Sequence, residues 1–470
     1  FTFIIKMLKS EGILNNDAID TSDPMQVKWS AEQLSVKEYL TYAIEKNWID
    51  ITSYTSESKY SNSDELYQSL VSYILSDLTN NHNFSKQIYH YAILQDMIRG
   101  NQLCAILYDQ GVLAADDTTR NALANGSMSA YGFMLDKIKK LEITPGQLAL
   151  DPCSASCVIM DTNSGDVLAC VSYPGYDTNK LANTVDSSYY GYLNSSLSSP
   201  LYNHATQQET APVSTFKLVT STAGLAEGVI DTSTIITDLG EFDKVSNKPH
   251  CWIYPSTHGS INLSEAIRDS CNYFFYEVGY RLAGSTNYSD KRGINLITKY
   301  ASLYGLNDKT GIEIDENTPH IATEYPVMAA IGQSDNNYTT ISLARYVTAV
   351  ANSGSVYNLS LLDHSTSQSG SLDKTYGPSI KNKIDVLNTS QWSSIHSGMR
   401  MVVESLATFD NFPIAVAGKT GTAQESKSRP NHALFIGYAP YDNPSVAIAT
   451  RIPFGYTSHN AADVSKNILG

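Results

Sequence analysis

The segment that most constrains this chain is an apolar, alanine-rich stretch in which a serine precedes a lysine by one helical turn. It begins Glu209-Thr-Ala-Pro-Val-Ser-Thr-Phe-Lys217 and continues as an apolar run to Ala226. Pro212 and the spacing of the apolar residues predict a buried helix, with Ser214 near its N-terminus and Lys217 on the same face. This pairing supplies a nucleophile and its base, and N–H groups at a helix N-terminus stabilise an oxyanion.

A second segment carries residue types that would complete such a site. Ser270-Cys-Asn272 lies in an apolar run that reads as one helix, capped at Ser264 and extending to Tyr280. We expect Ser270 to relay a proton to or from Lys217, and Asn272 to bond both the lysine and a substrate amide. Another Ser-x-Asn segment, Ser334-Asp-Asn336, lies far from any catalytic-looking sequence, so we favour the first.

A third segment, Lys419-Thr-Gly-Thr422, follows an apolar run and is typical of an edge strand. Gly421 would leave room for a substrate backbone. Lys419 and Thr420 are predicted to hold a carboxylate, and the N–H of Thr422 to stabilise an oxyanion. The Lys419 ammonium is also expected to lower the pKa of Lys217 and so favour the neutral base. Lys309-Thr-Gly311 repeats the pattern in a polar turn and is predicted to be structural.

Short motifs match by chance, so each of these segments is weak alone. Ser56/Lys59 and Ser371/Lys374 repeat the Ser-x-x-Lys spacing in polar, loop-like sequence. The three segments in this order, each in a suitable local setting, are much more specific.

Composition narrows the classes of function. The chain has 470 residues, 42% of them hydrophobic and 17% charged, which is ordinary for a globular protein. A net charge of −15 argues against nucleic acid or an anionic membrane surface as the main partner. No apolar run approaches the roughly 18 residues that a membrane span requires. Six cysteines in a chain of this length do not indicate a disulfide scaffold.

The pattern changes character near residue 150. Residues 1–150 show helical spacing without a catalytic grouping, and Ser30-Ala-Glu-Gln33 predicts a capping box at the start of one helix. Thr144-Pro-Gly146 marks the end of this region. Residues 151–470 begin with a predicted hairpin and end with strand-like runs at 414–424, 432–439 and 445–452. Helices between the first and last strands indicate an α+β domain with an antiparallel sheet.

Residues 152–470 resemble the transpeptidase domain of class B penicillin-binding proteins, and among them the elongation-type penicillin-binding protein 2 family. The resemblance implies a five-stranded antiparallel sheet flanked by helices, as in serine β-lactamases, and a pedestal and head formed by residues 1–150. The segments that carry it are Met160-Asp-Thr-Asn-Ser-Gly165, Ser172-Tyr-Pro-Gly-Tyr-Asp177, Ser270-Cys-Asn-Tyr-Phe-Phe-Tyr276, Ile331-Gly-Gln333 and Ala417-Gly-Lys-Thr-Gly-Thr-Ala-Gln424.

The resemblance also implies a function and a setting. It predicts a D,D-transpeptidase that cross-links peptidoglycan stem peptides on lipid II-derived strands, with β-lactams acylating Ser214. The family works beside a membrane glycosyltransferase of the elongation machinery. It is held at the bacterial membrane by a single helix, with the catalytic domain outside the cytoplasm. That helix is absent from this sequence, which we expect to be a trimmed form.

Four residues suggest a metal site. Asp238, Cys251, His258 and Cys271 offer oxygen, sulfur and nitrogen ligands, a mixture that zinc accepts in a tetrahedron. The spacing is looser than in a zinc finger, so buried free cysteines and a surface histidine stay open as the alternative. Some members of the resembled family carry a structural zinc behind the Ser-x-Asn segment, and Cys251 would then replace a carboxylate.

Alternatives to a transpeptidase also stay open. The family usually has glycine before the nucleophile, whereas this chain has Val213, whose side chain is expected to crowd the turn or the acyl pocket. A non-catalytic cell-wall scaffold is therefore one alternative. A class D-like β-lactamase or β-lactam sensor, which shares the Ser-x-x-Lys and Lys-Thr-Gly segments, is the other.

Overall fold

The computed structural model describes residues 2–54, 62–425 and 428–470. The chain forms two compact units, Phe1–Ile143 and Thr144–Gly470. The division falls beside the predicted Thr144-Pro-Gly146 break and seven residues before the predicted end of the first domain at residue 150. The role of the first unit as a pedestal and head stays a prediction. The Ser56/Lys59 pair lies outside the described residues.

The first unit is helical, as its spacing predicts. Ser35 caps α3 through a reciprocal bond with Glu38, so the capping box predicted at Ser30 is wrong: Ser30 instead ends α2. Helix α3 buries Tyr39, Leu40, Ala43 and Ile44. Its described α-helices are α1 (Thr2–Ser10), α2 (Pro24–Ser30), α3 (Val36–Glu45), α4 (Ser63–Asn80), α5 (His82–Leu94), α6 (Gly100–Asp109), α7 (Asp117–Ala124) and α8 (Ala130–Lys139).

The second unit is built on a five-stranded antiparallel sheet in the order β11-β12-β13-β1-β2, which confirms the predicted α+β fold. The first two strands in sequence share this sheet with the last three, because β1 pairs with β13 and the apolar residues of both strands are buried. The strands are β1 (Ala155–Asp161), β2 (Val167–Tyr173), β3 (Glu209–Thr210), β4 (Ile236–Asp238), β5 (Gly259–Ile261), β6 (Tyr338–Thr339), β7 (Ser355–Asn358), β8 (His364–Thr366), β9 (Leu372–Thr375), β10 (Ser379–Lys383), β11 (Ala417–Ala423), β12 (His432–Ala439) and β13 (Val446–Ile452).

Helices cover this sheet and position the site. Helix α15 is buried along its whole length and packs on β1 and β13, while α16 packs on β11 and α17 on β12. Helix α10, which follows Ser214, packs against α12 and α13. The α-helices of this unit are α9 (Ser187–Ser195), α10 (Lys217–Ala226), α11 (Leu263–Arg268), α12 (Asn272–Ala283), α13 (Asp290–Leu303), α14 (Pro326–Ala329), α15 (Thr340–Ala351), α16 (Thr389–Glu404) and α17 (Ser458–Leu469).

No α-helix in the described ranges is both long enough and apolar enough to span a bilayer.

Candidate active site

Ser214 lies in a tight turn that leads into α10. A short 3-10 turn, Val213–Phe216, precedes the helix, which begins at Lys217. Val213 has a left-handed backbone with φ +43°, and its N–H donates to the carbonyl of Gly332 at 3.1 Å. This conformation is costly for a β-branched residue and persists only where the surroundings enforce it. The turn is therefore held in place by the neighbouring segment.

Ser270 lies at a break between two helices, so the single helix predicted from Ser264 to Tyr280 is wrong. Helix α11 ends at Arg268, Ser270 has φ +52°, and the side chain of Cys271 caps α12. The break turns both oxygens of Ser270 toward Lys217. A continuous helix would have used the Ser270 carbonyl for its own backbone hydrogen bonds.

Lys217 is fully buried and its ammonium is surrounded by oxygen acceptors. Nζ donates to the carbonyl of Ser270 and to Oδ1 of Asn272, each at 2.7 Å, and lies 3.3 Å from Ser270 Oγ. Burial lowers the pKa of Lys217 to about 7, because the charged form loses its hydration. Near neutral pH a large fraction of Lys217 is therefore the free amine, which is the form that accepts a proton.

Lys419 approaches the same serine from β11. Its Nζ donates to Ser270 Oγ at 3.0 Å and to the carbonyl of Thr420 at 3.2 Å. Burial and the nearby ammonium of Lys217 hold the pKa of Lys419 well below its ordinary value. The expected lowering of the Lys217 pKa is present, but burial is its main cause, and the repulsion between the two ammonium groups acts on Lys419.

Strand β11 is packed closely against the turn that contains Ser214. A side-chain carbon on Gly421 would lie 3.0 Å from Val213 Cγ2 and 3.1 Å from the carbonyl of Pro212. The space beside Gly421 is therefore occupied by this turn, and its predicted role in admitting a substrate backbone stays a prediction. The valine that replaces the family's usual glycine is accommodated, since its side chain is buried against Gly421.

A cavity of about 340 Å³ brings the three segments together. Ser214, Ser270, Asn272, Thr420 and Thr422 all line it, in agreement with the predicted grouping, and Lys217 and Lys419 reach Ser270 from below its surface. The other lining residues were not predicted to belong to the site. They are Val213, Trp252, Ile331, Gln333, Thr457, Ser458 and His459.

Two of these additional residues were weakly indicated by the sequence. Trp252 follows the predicted ligand Cys251, and its indole N–H donates to the carbonyl of Asp269 at 3.1 Å, so the ring is fixed at the cavity. Gln333 belongs to the Ile331-Gly-Gln333 segment, for which no role was predicted. The His459 region begins α17 and showed no pattern from which a site could be inferred.

The repeated motifs form bonds within their own loops. Ser334 Oγ donates to the carbonyl of Glu324, and Asp335 accepts from Thr323. Thr310 Oγ1 donates to the carboxylate of Glu316 at 2.8 Å, which makes the Lys309-Thr-Gly311 segment a structural turn.

The four predicted metal ligands also come together, with their ligand atoms all within 4.8 Å of one another. The sulfurs of Cys251 and Cys271 are 3.8 Å apart, Cys251 Sγ is 3.6 Å from His258 Nδ1, and Cys271 Sγ is 3.6 Å from Asp238 Oδ2. A tetrahedral zinc with Zn–S bonds of about 2.3 Å requires sulfurs about 3.8 Å apart. Asp238 Oδ2 and His258 Nδ1 are closer, at 2.7 Å, because they share a hydrogen bond that a cation would replace.

The electrostatics of this cluster favour a cation. Although burial opposes ionisation, the backbone N–H groups of His258 and Gly240 hold the pKa of Asp238 below its ordinary value. The hydrogen bond from Cys271 lowers the pKa of the Cys251 thiol to about 6, and the same bond raises the pKa of Cys271. A carboxylate and a thiolate thus lie together in a buried pocket, and a divalent cation would neutralise both.

Comparison with known proteins agrees with this geometry. The profile of the penicillin binding protein transpeptidase domain matches residues 155–470, about two thirds of the chain. The chain belongs to the penicillin-binding protein transpeptidase family. Its relatives place it with the class B members known as penicillin-binding protein 2.

Three relatives illustrate the similarity of this penicillin-binding protein to others. Peptidoglycan D,D-transpeptidase MrdA of Haemophilus influenzae is 28% identical over 68% of this chain and 53% of its own length. The Acinetobacter baumannii protein of the same name is 27% identical over 66% and 49%. The crystal structure of Pseudomonas aeruginosa PBP2 in complex with WCK 5153 has a TM-score of 0.59 and 26% identity, covering 67% of this chain and 73% of that one. The chain spans about half the length of the curated relatives it matches.

Replacing Gly332 with alanine tests whether its close contact with Val213 holds the turn that contains Ser214. At φ +74°, a side-chain carbon there would lie 2.2 Å from the Val213 carbonyl oxygen. We expect Gly332→Ala to lower the free energy of unfolding by about 3 kcal/mol, because backbone must move. Gly377→Ala, with no atom within 4 Å of the added carbon, is the control. Equal urea-unfolding curves for the two variants would contradict this account.

Proposed function

We propose that this protein is a serine D,D-transpeptidase that cross-links peptidoglycan stem peptides through an acyl-enzyme on Ser214. The observation that carries the proposal is the convergence of Lys217 and Lys419 on Ser270 at the base of the cavity that Ser214 lines. A lysine base with a lowered pKa and a second lysine beside one hydroxyl match what acyl transfer from a carboxylate-ended peptide needs. The name shared by the MrdA relatives supports the same activity.

Each residue has a role in the proposed acylation. Lys217, as the free amine, accepts the proton of Ser214 while Ser214 Oγ attacks the carbonyl of the penultimate D-alanine. The N–H groups of Ser214 and Thr422 stabilise the oxyanion. Ser270 passes a proton from Lys217 to the leaving nitrogen, so that terminal D-alanine departs as the C–N bond breaks.

The remaining residues hold the substrate. Lys419 and Thr420 bind the terminal carboxylate, for which the buried ammonium is matched in charge. Asn272 bonds the Lys217 ammonium and a peptide amide. An amine of a neighbouring strand then attacks the acyl-enzyme, forms the cross-link and releases Ser214, while a β-lactam leaves Ser214 acylated.

The two alternatives have less support. A class A β-lactamase uses a glutamate to activate water for deacylation, and the described residues that line the cavity include no aspartate or glutamate. The class D-like alternative has less support because the relatives are named D,D-transpeptidases. A non-catalytic scaffold was suggested by Val213, but that side chain is accommodated against Gly421, and Ser214, Ser270 and Asn272 still line the cavity beside it.

The setting of the protein is part of the proposal. We place the catalytic unit outside the cytoplasm of a bacterium, anchored at the membrane and working with a glycosyltransferase that makes the glycan strands. The MrdA relatives support this setting through the activity in their name. The helical unit up to Ile143 would act as a pedestal and head.

The proposal includes a structural zinc. Asp238, Cys251, His258 and Cys271 would hold it, and four protein ligands leave no position for substrate. The zinc would cross-link parts of the chain and would take no part in the acyl transfer. Because Cys271 lies between Ser270 and Asn272, fixing its sulfur would also fix the helix break that positions both residues.

Labelling with a fluorescent penicillin tests the acyl-enzyme. We expect one label per chain by intact mass, because Ser214 attacks the lactam carbonyl and the acyl group stays attached. Ser214→Ala should abolish labelling, and Ser371→Ala, from a repeat of the motif in exposed sequence, should leave it unchanged. Labelling of Ser214→Ala at the wild-type rate would show that the nucleophile lies elsewhere.

The rate of acylation should depend on pH through Lys217. Its pKa is lowered to about 7, so the neutral base gains population as pH rises and is complete above that value. Penicillin acylation is therefore expected to fall about tenfold for each pH unit below 6 and to level off above about 8. Circular dichroism at each pH controls for unfolding. A rate that decreases from pH 6 to 8 would rule out Lys217 as the base.

Metal analysis of the purified protein tests the zinc. We expect about one zinc per chain, lost in His258→Ala and Cys271→Ser because each removes a ligand. Chelator should lower the thermal midpoint of the wild type. Cys153→Ser, at a cysteine outside the cluster, is the control and should keep the metal. Wild-type protein that carries no zinc and is unaffected by chelator would remove this part of the proposal.

A further inference from the structure

A second cavity, of about 330 Å³, shares a wall segment with the catalytic cavity. Val327 and Met328 line the second cavity, while Ile331 and Gln333 line the first. The N–H groups of Ile331 and Gln333 both donate to the carbonyl of Met328, at 3.2 and 3.1 Å. The two cavities therefore lie on either side of one hydrogen-bonded turn.

Two tyrosines form aromatic surfaces in the second cavity. Tyr288 is stacked on Tyr280 with ring centroids 5.1 Å apart, and its hydroxyl donates to Asp290 at 2.8 Å, which fixes the ring. Tyr325 is 57% exposed and has φ +54° directly before Pro326. Its carbonyl begins α14 by accepting from the N–H groups of Met328 and Ala329, which leaves the exposed ring available to a ligand. Backbone strain of this kind is concentrated at binding sites.

Polar and charged residues also line this cavity. Ser246 and Asn247 are exposed and present a hydroxyl and an amide to it. The Lys244 ammonium is paired with Glu277 at 2.7 Å and lies 5.5 Å from the centre of the Tyr280 ring. Glu277 is also paired with Arg281, and the carboxylate of Asp290 lines the same cavity, so charges of both signs surround it and it does not select an anion.

These features match one class of ligand. Sugar rings present C–H faces that stack on aromatic side chains and hydroxyls at their edges that bond amides and hydroxyls, while N-acetyl methyl groups need apolar contact. Peptides and nucleotides would call for an exposed strand edge or free cations instead.

We infer that the cavity formed by Tyr288, Tyr325, Asn247, Lys244, Val327 and Met328 binds the N-acetylated hexosamine glycan of the peptidoglycan strand. This inference rests on the proposed function, in which the stem peptide entering the catalytic cavity is attached to such a glycan. The second cavity would hold the sugar while the catalytic cavity, on the other side of the turn, holds the peptide of the same strand. Binding of the glycan would raise the affinity for polymeric substrate without touching the reacting atoms.

Titration with the N-acetylglucosamine tetramer, followed by calorimetry or ligand-observed NMR, tests this site. Tyr325→Gly removes the ring and keeps a backbone that φ +54° suits, so the fold should be retained. We expect it to weaken tetramer binding about tenfold. Tyr325→Phe should bind like wild type, as should Tyr190→Ala, which removes a similarly exposed tyrosine from α9.

Protein first acylated with penicillin separates the two cavities. Its catalytic cavity is filled, so tetramer binding that persists and remains sensitive to Tyr325→Gly supports the second site. The inference is overturned if penicillin labels Ser214 but the tetramer fails to bind at about 10 mM, binds Tyr325→Gly equally well, or is displaced by acylation. Failure of penicillin to label the wild type would instead overturn the proposed function, whatever the tetramer does.

Discussion

The site depends on burying two lysine ammonium groups around one serine. Removing such charges from water is costly unless each finds acceptors, and here Lys217 has the Ser270 carbonyl and Asn272, while Lys419 has Ser270 Oγ and the Thr420 carbonyl. The two cannot both hold a proton cheaply at this distance. Burial lowers the pKa of Lys217 to about 7, and burial together with the Lys217 ammonium lowers the pKa of Lys419, so Ser270 lies between two lysines that both lose a proton more easily than usual.

That arrangement requires segments distant in sequence to meet with little freedom. Strand β11 brings Lys419 alongside the Ser214 turn, and Gly421 allows the close contact. The break between α11 and α12 turns Ser270 into the site, and Cys271 ties the break to the cluster of four ligands. The sheet thus positions one lysine, a buried helix the other, and the cluster supports the serine between them.

Sequence patterns predicted the features of the fold and site that depend on apolar periodicity and on the order of the motifs. The helix after Ser214 and an antiparallel sheet follow from apolar spacing, while the number of five strands was implied by the family resemblance. The three motifs line one cavity, as their order and local settings predicted. The sequence has no glycine or proline at Ser270 from which the helix break could be predicted. The break accompanies a tertiary contact, the hydrogen bond from Lys217 to the Ser270 carbonyl. Trp252 and the tyrosine-lined cavity also lay beyond prediction, since exposed aromatic residues acquire meaning only from their neighbours in space.

The left-handed backbone at Val213 has a consequence for when the protein becomes reactive. A valine released from its neighbours relaxes to an extended conformation, so the turn exists only while Gly332 and β11 are both in place. A nascent or partly assembled chain therefore does not present Ser214 correctly. The Ser214 hydroxyl therefore reaches its position in the cavity only after the last strands of the sheet have folded into place.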